Sequence, residues 1–318
     1  MTATISVVAT GGTIANTADG RKPIGKLLSQ LGKADALPVG YRVKAKDLVQ
    51  LGGDEIGPDV WLNLTSEVQH QVERADVAGV VVTHGTYTAE ETAFFLHLAL
   101  RTNKPVVLTC AQRKFGSLGS DSLRNLADAL LVAASPEAGA RGVLVVVNET
   151  IHSARDVTKT SQRLWGFQSG EAGLIGTVDG DKIRFMRGAY RNHTLTSNVI
   201  AAKPLPRVDI IAAYPGADGA GVRAHVEAGA RGLVVSGYSY RGWPAPGQVA
   251  ALVDAQASGV PVVLASRGGL GRVPAEDDRF ITGDSLTPQK ARILLMLALA
   301  TPRAGQDRSA LQEIFDSH

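Results

Sequence analysis

The sequence predicts an α/β protein in two parts. The larger N-terminal domain, residues 1–195, is built on a doubly wound parallel sheet. A linker at 196–207 leads to a smaller C-terminal α/β domain at 208–318. Three observations carry this prediction. Two apolar runs, Ile5-Ser6-Val7-Val8-Ala9 and Val80-Val81-Val82-Thr83, each break at a glycine turn, as buried parallel strands do where they hand over to a helix. Strand-like runs then alternate with amphipathic stretches, the pattern of a parallel sheet covered on both faces. Finally, Lys203-Pro204-Leu205-Pro206 interrupts the series, and a second βα series follows it.

Taken in order, the first strand runs into Thr10-Gly11-Gly12-Thr13-Ile14-Ala15, a glycine-rich turn with two threonines. Asn16 to Leu37 is polar, glycine-containing and poorly periodic, and reads as a long loop of the kind that closes over a site. Pro58 suits the first turn of a helix, expected from Asp59 to Arg74. The strand at Val80 breaks at His84-Gly85 and enters Glu90-Glu91-Thr92-Ala93-Phe94-Phe95-Leu96, a helix with acids in its first turn. Val106–Thr109 and Gly142–Val147 are further strands, with a helix beginning within Ser117–Asn125 between them. Residues 174–195 read as short strands about Asp179-Gly180, a hairpin signal. In the C-terminal part, strands are expected at Val208–Tyr214, Gly232–Ser236 and Val260–Ala265. Helices are expected at 219–230 and 246–258, and an apolar one from Pro288 to Leu299.

Composition narrows the function. Hydrophobic residues make up 44% and charged residues 20% of the 318, ordinary values for a globular chain with ample core. Its 33 basic and 30 acidic residues leave a net charge of +3, and the basic residues are dispersed, so no nucleic-acid stripe is expected. The single cysteine, Cys110, ends an apolar run, rules out a disulfide framework within the chain, and reads as a small buried hydrophobe. No metal-ligand cluster and no phosphate-binding G-x-G-x-x-G or G-K-[ST] stretch occurs, so no cofactor is expected. The first residues hold no basic stretch followed by a long apolar one, and the expectation is a cytoplasmic protein with no membrane span.

Both glycine turns lie at the carboxyl ends of strands, where open α/β sheets bind ligands. Thr13 on the first turn reads two ways: as a nucleophile, given a neighbour to take its proton, or as the cap of the next helix. Lys159 is either a surface cation or, if desolvated, a base. His84, isolated, reads as a structural hydrogen-bonder rather than a base. The backbone N–H groups of Gly12 and Thr86 are candidate oxyanion donors, since both turns face one crevice.

These stretches resemble the bacterial-type L-asparaginase/glutaminase family, which carries T-G-G-T-I-A near its N-terminus and T-H-G-T-D-T-x-E-E-T-A later. Here the first is Thr10 to Ala15 and the second Thr83 to Ala93, with Tyr87 at the family's aspartate. Ala154-Arg155-Asp156-Val157-Thr158-Lys159-Thr160 is similar to the family's A-R-x-V-x-K-T, and Asp121 and Asn125 match its S-x-D-G-x-x-N-L. The resemblance covers essentially the whole chain. It implies the two-domain asparaginase-like fold and a homo-oligomer, a dimer or a tetramer, acting on a small-molecule amide. It also implies Thr13 as nucleophile, with Thr86 and Lys159 in a second catalytic group.

The departures concern the substrate. By ungapped spacing Lys22 stands where the family's flexible loop supplies a tyrosine, which makes it a candidate catalytic residue. Gly53, followed by Asp54, replaces a serine that grips the substrate's carboxylate, and Tyr87 replaces the aspartate that binds its ammonium group. A zwitterionic substrate needs an anion for its ammonium and donors for its carboxylate. The substrate-binding candidates are therefore Gly12, Gly53, Asp54, Gly85 and Tyr87. Glu276, in Ala275-Glu276-Asp277-Asp278, lies near the place of a glutamate that the family takes from a neighbouring subunit. The expected activity is hydrolysis of a linear amide through an acyl-enzyme. Asparagine is the family default, and the departures favour an amide, lactam or ester without the amino-acid head. The contrasting expectation is a catalytically silent binding protein on the same fold.

Overall fold

A computed structural model describes residues 2–269, 271–302 and 307–318. By internal contacts the chain divides into Met1–Leu195 and Thr196–His318.

In the first unit, strand β1 (Ala3–Gly11) is followed by a ribbon of β2 (Asn16–Thr17) and β3 (Gly20–Arg21), then helix α1 (Ile24–Lys33) and β4 (Tyr41–Leu51). Next come α2 (Pro58–Glu73), β5 (Val77–Thr83), α3 (Ala89–Ala99), β6 (Val106–Thr109), α4 (Ser122–Ala134) and β7 (Val143–Val147). Short strands complete it: β8 (Thr150–Ser153), β9 (Thr158–Lys159), β10 (Phe167–Gln168), β11 (Gly176–Asp179) and β12 (Lys182–Phe185). The main sheet has the order β12-β11-β8-β7-β6-β5-β1-β4. Its five strands from β7 to β4 are parallel, and β8, β11 and β12 add an antiparallel margin.

Strand alternation sends successive side chains to opposite faces, and the core divides accordingly. Ile5, Val7, Val81 and Val107 face a layer that includes residues of α1 and α4. Val8, Val80, Val82 and Val106 face residues of α2 and α3. Strand β1 leads to β4 on one side, and β4 leads through α2 to β5 on the other, so the winding reverses between β1 and β5. That reversal opens a crevice at the strands' carboxyl ends.

The stretch 16–37 differs from its reading as a loop. Ile24, Leu27 and Leu31 of α1 are buried at helical spacing, and Asp47 Oδ1 accepts the Ile24 N–H at 3.1 Å at the helix start. The period begins only at Ile24, so a window that includes the polar ribbon before it dilutes the signal. Strand β4 gave no apolar run because it lies at the sheet edge, paired with β1 alone, and is mostly exposed.

The second unit is a four-stranded parallel sheet of β13 (Val208–Ala212), β14 (Gly232–Gly237), β15 (Val262–Ser266) and β16 (Ile281–Thr282). Helices α5 (Ala220–Glu227), α6 (Pro246–Ala257), α7 (Pro288–Ala300) and α8 (Arg308–Ser317) accompany it. Among the described residues no helix is long and apolar enough to cross a membrane.

Candidate active site

Three turns meet backbone to backbone at the crevice. Gly12, at φ +81°, is in the left-handed region that favours glycine. A Cβ there would lie 2.3 Å from the Gly85 nitrogen. A Cβ on Gly85 would in turn lie 2.8 Å from the Gly53 nitrogen. The turn after β1, the turn after β5 and the turn after β4 therefore pack without side chains between them. Thr88 Oγ1 donates to the Gly53 carbonyl and Thr10 Oγ1 to the Thr83 carbonyl, tying the turns together. From behind, Trp61 Nε1 donates to Thr92 Oγ1 at 2.9 Å, and its ring stacks on Phe95 at 5.2 Å, fixing α2 against α3.

The turns line a cavity of about 220 Å³, bounded by Gly12, Thr13, Asn16, Arg21, Gly52, Gly53, Asp54, Gly85, Thr86 and Tyr87. Thr13 begins a single 3-10 turn and does not cap it: the cap position is Gly12, and no side chain bonds there. The Thr13 hydroxyl has no hydrogen-bond partner among the described residues and lies on the cavity wall. Lys159 reaches the site from the β9–β10 ribbon, paired with Phe167, rather than from a helix surface. Its Nζ lies 2.7 Å from Thr86 Oγ1 and 5.2 Å from the centre of the Tyr87 ring. Burial holds the Lys159 ammonium below the usual lysine range. Among the described residues it has no carboxylate partner.

The Asp121 and Asn125 side chains shape the neighbouring loops. The Asp121 carboxylate accepts the N–H groups of Gln112 and Arg113, each at 2.9 Å. Asn125 donates to the Cys110 carbonyl at 2.8 Å and accepts the Asn148 N–H at 2.8 Å. Cys110 is fully buried, and burial raises its thiol far above the usual range, so it is an inert part of the core. His84 is also fully buried, which lowers its pKa to about 4. Its Nδ1 lies 2.8 Å from the Gly85 carbonyl; a carbonyl only accepts, so Nδ1 carries the proton. His84 is a neutral prop under the second turn.

Two expectations need correction. The Gly12 N–H already donates to the Leu51 carbonyl at 3.0 Å, so it is not available to an oxyanion. The N–H groups of Thr13 and Thr86 have no such acceptor among the described residues. The second correction concerns the segment after the first turn. Its cation on the cavity wall is Arg21; Lys22, the next residue, is outside the lining. The Lys22 N–H is held by the Ala15 carbonyl at 2.8 Å. The residues that sequence reasoning missed, Asn16 and Arg21, face each other across the β2–β3 ribbon. The signal was present: Asp19-Gly20 is a hairpin dipeptide.

Gly53 and Asp54 are on the wall, and Tyr87, 67% exposed, stands over it. Glu276 belongs to the second unit, where it pairs with Arg241 at 2.9 Å.

Comparison with known proteins places these features. The family model described as "Asparaginase, N-terminal" matches residues 4–191, and "Glutaminase/Asparaginase C-terminal domain" matches 207–315. The chain is 35% identical to L-asparaginase 2 of Bacillus subtilis over 99% of its own length and 86% of that protein's. It is 34% identical to L-asparaginase 2 of Escherichia coli, over 99% and 93%. It is 33% identical to the glutaminase-asparaginase of Pseudomonas fluorescens, over 98% and 90%. Among solved structures, a probable cytoplasmic L-asparaginase from Campylobacter jejuni superposes with a TM-score of 0.92 at 32% identity, over 99% of this chain and all of that one. The two-unit fold, the paired family models and this full-length similarity show that the chain belongs to the asparaginase family, amidohydrolases acting on carbon–nitrogen bonds of linear amides.

Proposed function

We propose that this amidohydrolase works through Thr13 and an acyl-enzyme, and that its substrate is an amide, lactam or ester without a free α-ammonium group. The observation that carries the catalytic part is the Lys159–Thr86 hydrogen bond of 2.7 Å at the cavity that Thr13 lines. With a primary amide, Thr13 Oγ attacks the carbonyl carbon, the C–N bond breaks, and the hydroxyl proton leaves with the nitrogen as ammonia; a lactam's amine or an ester's alcohol takes that proton instead. A water then attacks the ester. Thr86 takes its proton and passes its own to neutral Lys159. The acyl–oxygen bond breaks, and Thr13 recovers a proton from Lys159 as the acid leaves. The free N–H groups of Thr13 and Thr86 are the candidate donors to the oxyanion.

The specificity part rests on Tyr87, which offers a ring face and a neutral hydroxyl where an ammonium group would need an anion. Lys22, outside the cavity lining, has no assigned step in this scheme. Location in the cytoplasm and assembly into a homo-oligomer, a dimer or a tetramer, belong to the same proposal. The likeness to the Campylobacter jejuni protein, itself described as cytoplasmic, supports the first, and the family resemblance supports the second. Ammonia release from asparagine, glutamine and simple amides, and formation of the free acid from lactams and esters, tests the function, with Thr13→Ala in parallel. Turnover lost in the variant, with an acyl adduct on Thr13 seen by mass spectrometry in the parent, is the expected result. Near-normal turnover by Thr13→Ala removes Thr13 from the mechanism.

A further inference from the structure

We infer that Arg21 is the anion anchor of the substrate pocket, so that the preferred substrate is the monoamide of a short dicarboxylic acid, its free carboxylate held by the guanidinium. This rests on the amidohydrolase reading above and adds to it the charge that the substrate carries.

Arg21 is held in place before any ligand arrives. Its backbone belongs to β3, paired with Asn16 of β2. The ribbon's turn is closed by Thr17 Oγ1, which donates to the Gly20 carbonyl at 2.7 Å and accepts the Asp19 N–H at 3.2 Å. The side chain is fixed on two sides: Nε donates to Asn16 Oδ1 at 3.0 Å, and Nη1 donates to the Gln50 carbonyl. Nη2 makes no hydrogen bond, and Arg21 has no ion pair, among the described residues. A guanidinium so placed has lost its conformational freedom in advance and keeps donors for a carboxylate.

Charge on the rest of the wall fixes where an anion can lie. The one other ionisable side chain of the lining besides Tyr87 is Asp54, which is exposed. Asp54 makes no ion pair with Arg21 or with another cation among the described residues. A substrate carboxylate is repelled from the Asp54 side and drawn to Arg21. The space of about 220 Å³ suits a short acyl chain between the reacting carbonyl and that carboxylate.

Two measurements test the anchor, one independent of turnover. Succinate, a dicarboxylate with no amide, is titrated calorimetrically into the parent, Arg21→Lys, Arg21→Gln and Asp54→Asn. In parallel, kcat and KM are measured for succinamate and for propionamide, which lacks the second carboxylate. The expected result is succinate binding weakened about tenfold to a few hundredfold in Arg21→Gln. Arg21→Lys should be intermediate, keeping the charge and losing the planar fork, and Asp54→Asn should bind more tightly than the parent. The succinamate KM should rise in Arg21→Gln more than kcat falls, and preference for succinamate over propionamide should collapse. Equal succinate binding by parent and Arg21→Gln overturns the inference, as does no binding to the parent. A parallel loss on both amides also overturns it, because that is what a merely structural ribbon would give. Arg21-dependent succinate binding without ammonia release from any amide leaves the anchor standing and removes the proposed activity instead.

Discussion

The cavity has two walls of different construction. The reacting wall, Thr13 and Thr86 with Lys159 behind them, stands on turns whose backbones are in contact: a single Cβ on Gly12 would overlap Gly85. The recognition wall, Arg21, Asp54 and Tyr87, is made of side chains from a two-strand ribbon, a 3-10 turn and a loop, and Tyr87 is largely exposed. Backbone contact leaves the first wall little room to vary, because almost any side chain would separate the turns. No backbone contact of that kind constrains the second, where a side chain can be exchanged without separating the turns. On the proposed reading, the two walls carry different information, reaction type on one and substrate choice on the other.

Perturbing the reacting wall should give the largest effects. Thr13→Ala removes the proposed nucleophile and should lower kcat at least about a thousandfold. Its melting temperature should stay near the parent's, since Thr13 caps nothing. A residual rate within about tenfold of the parent would show that another group attacks. Lys159→Met keeps the length and apolar packing of the side chain and removes the proposed base; steady-state kinetics should show a fall of roughly 10²- to 10⁴-fold.

His84 probes the footing of that wall rather than its chemistry. The fold prefers the neutral ring, whose pKa falls from 6.5 to about 4. Its contribution is therefore complete above pH 6.5 and is lost as pH falls from 6.5 toward 4. The shift corresponds to about 3 kcal/mol as an order of magnitude. Urea titrations of the parent and of His84→Asn, which keeps a donor for the Gly85 carbonyl, should show a flatter acid limb of stability in the variant. Identical limbs would show that His84 does not set it.

Tyr87→Asp joins the two walls and has a smaller effect. A carboxylate placed near Lys159 favours the ammonium form, raising the lysine pKa. The base works when neutral, so activity falls as pH drops through that pKa. The acid limb of kcat/KM should thus move to higher pH in Tyr87→Asp. An unmoved limb would mean that Lys159 is not the titrating base.

The reacting wall was legible in the sequence because glycine turns after β-branched runs leave a compact local pattern. Thr13, Thr86 and the strands beneath them follow from it, and Lys159 was marked by its motif. The sheet was legible wherever strands are buried on both faces; the exposed edge strand β4 was not. The recognition wall was read in part, through Gly53, Asp54 and Tyr87. Arg21 was missed because its position depends on which side of a two-residue strand it faces, which a shift of one residue reverses. The state of the Gly12 N–H was hidden too, since its acceptor, Leu51, is 39 positions away on β4.

The central claim is that the reaction is the family's while the recognition is not. Losing the charged partner of a buried ammonium costs roughly 2–5 kcal/mol, a factor of roughly thirty to several thousand. The direct measurement is the ratio of kcat/KM for asparagine to that for succinamate, the same molecule without its amino group. The account predicts a ratio of about one or below for the parent, rising in Tyr87→Asp. A parent ratio in the hundreds would contradict it and show that an anion such as Asp54 still receives the ammonium group.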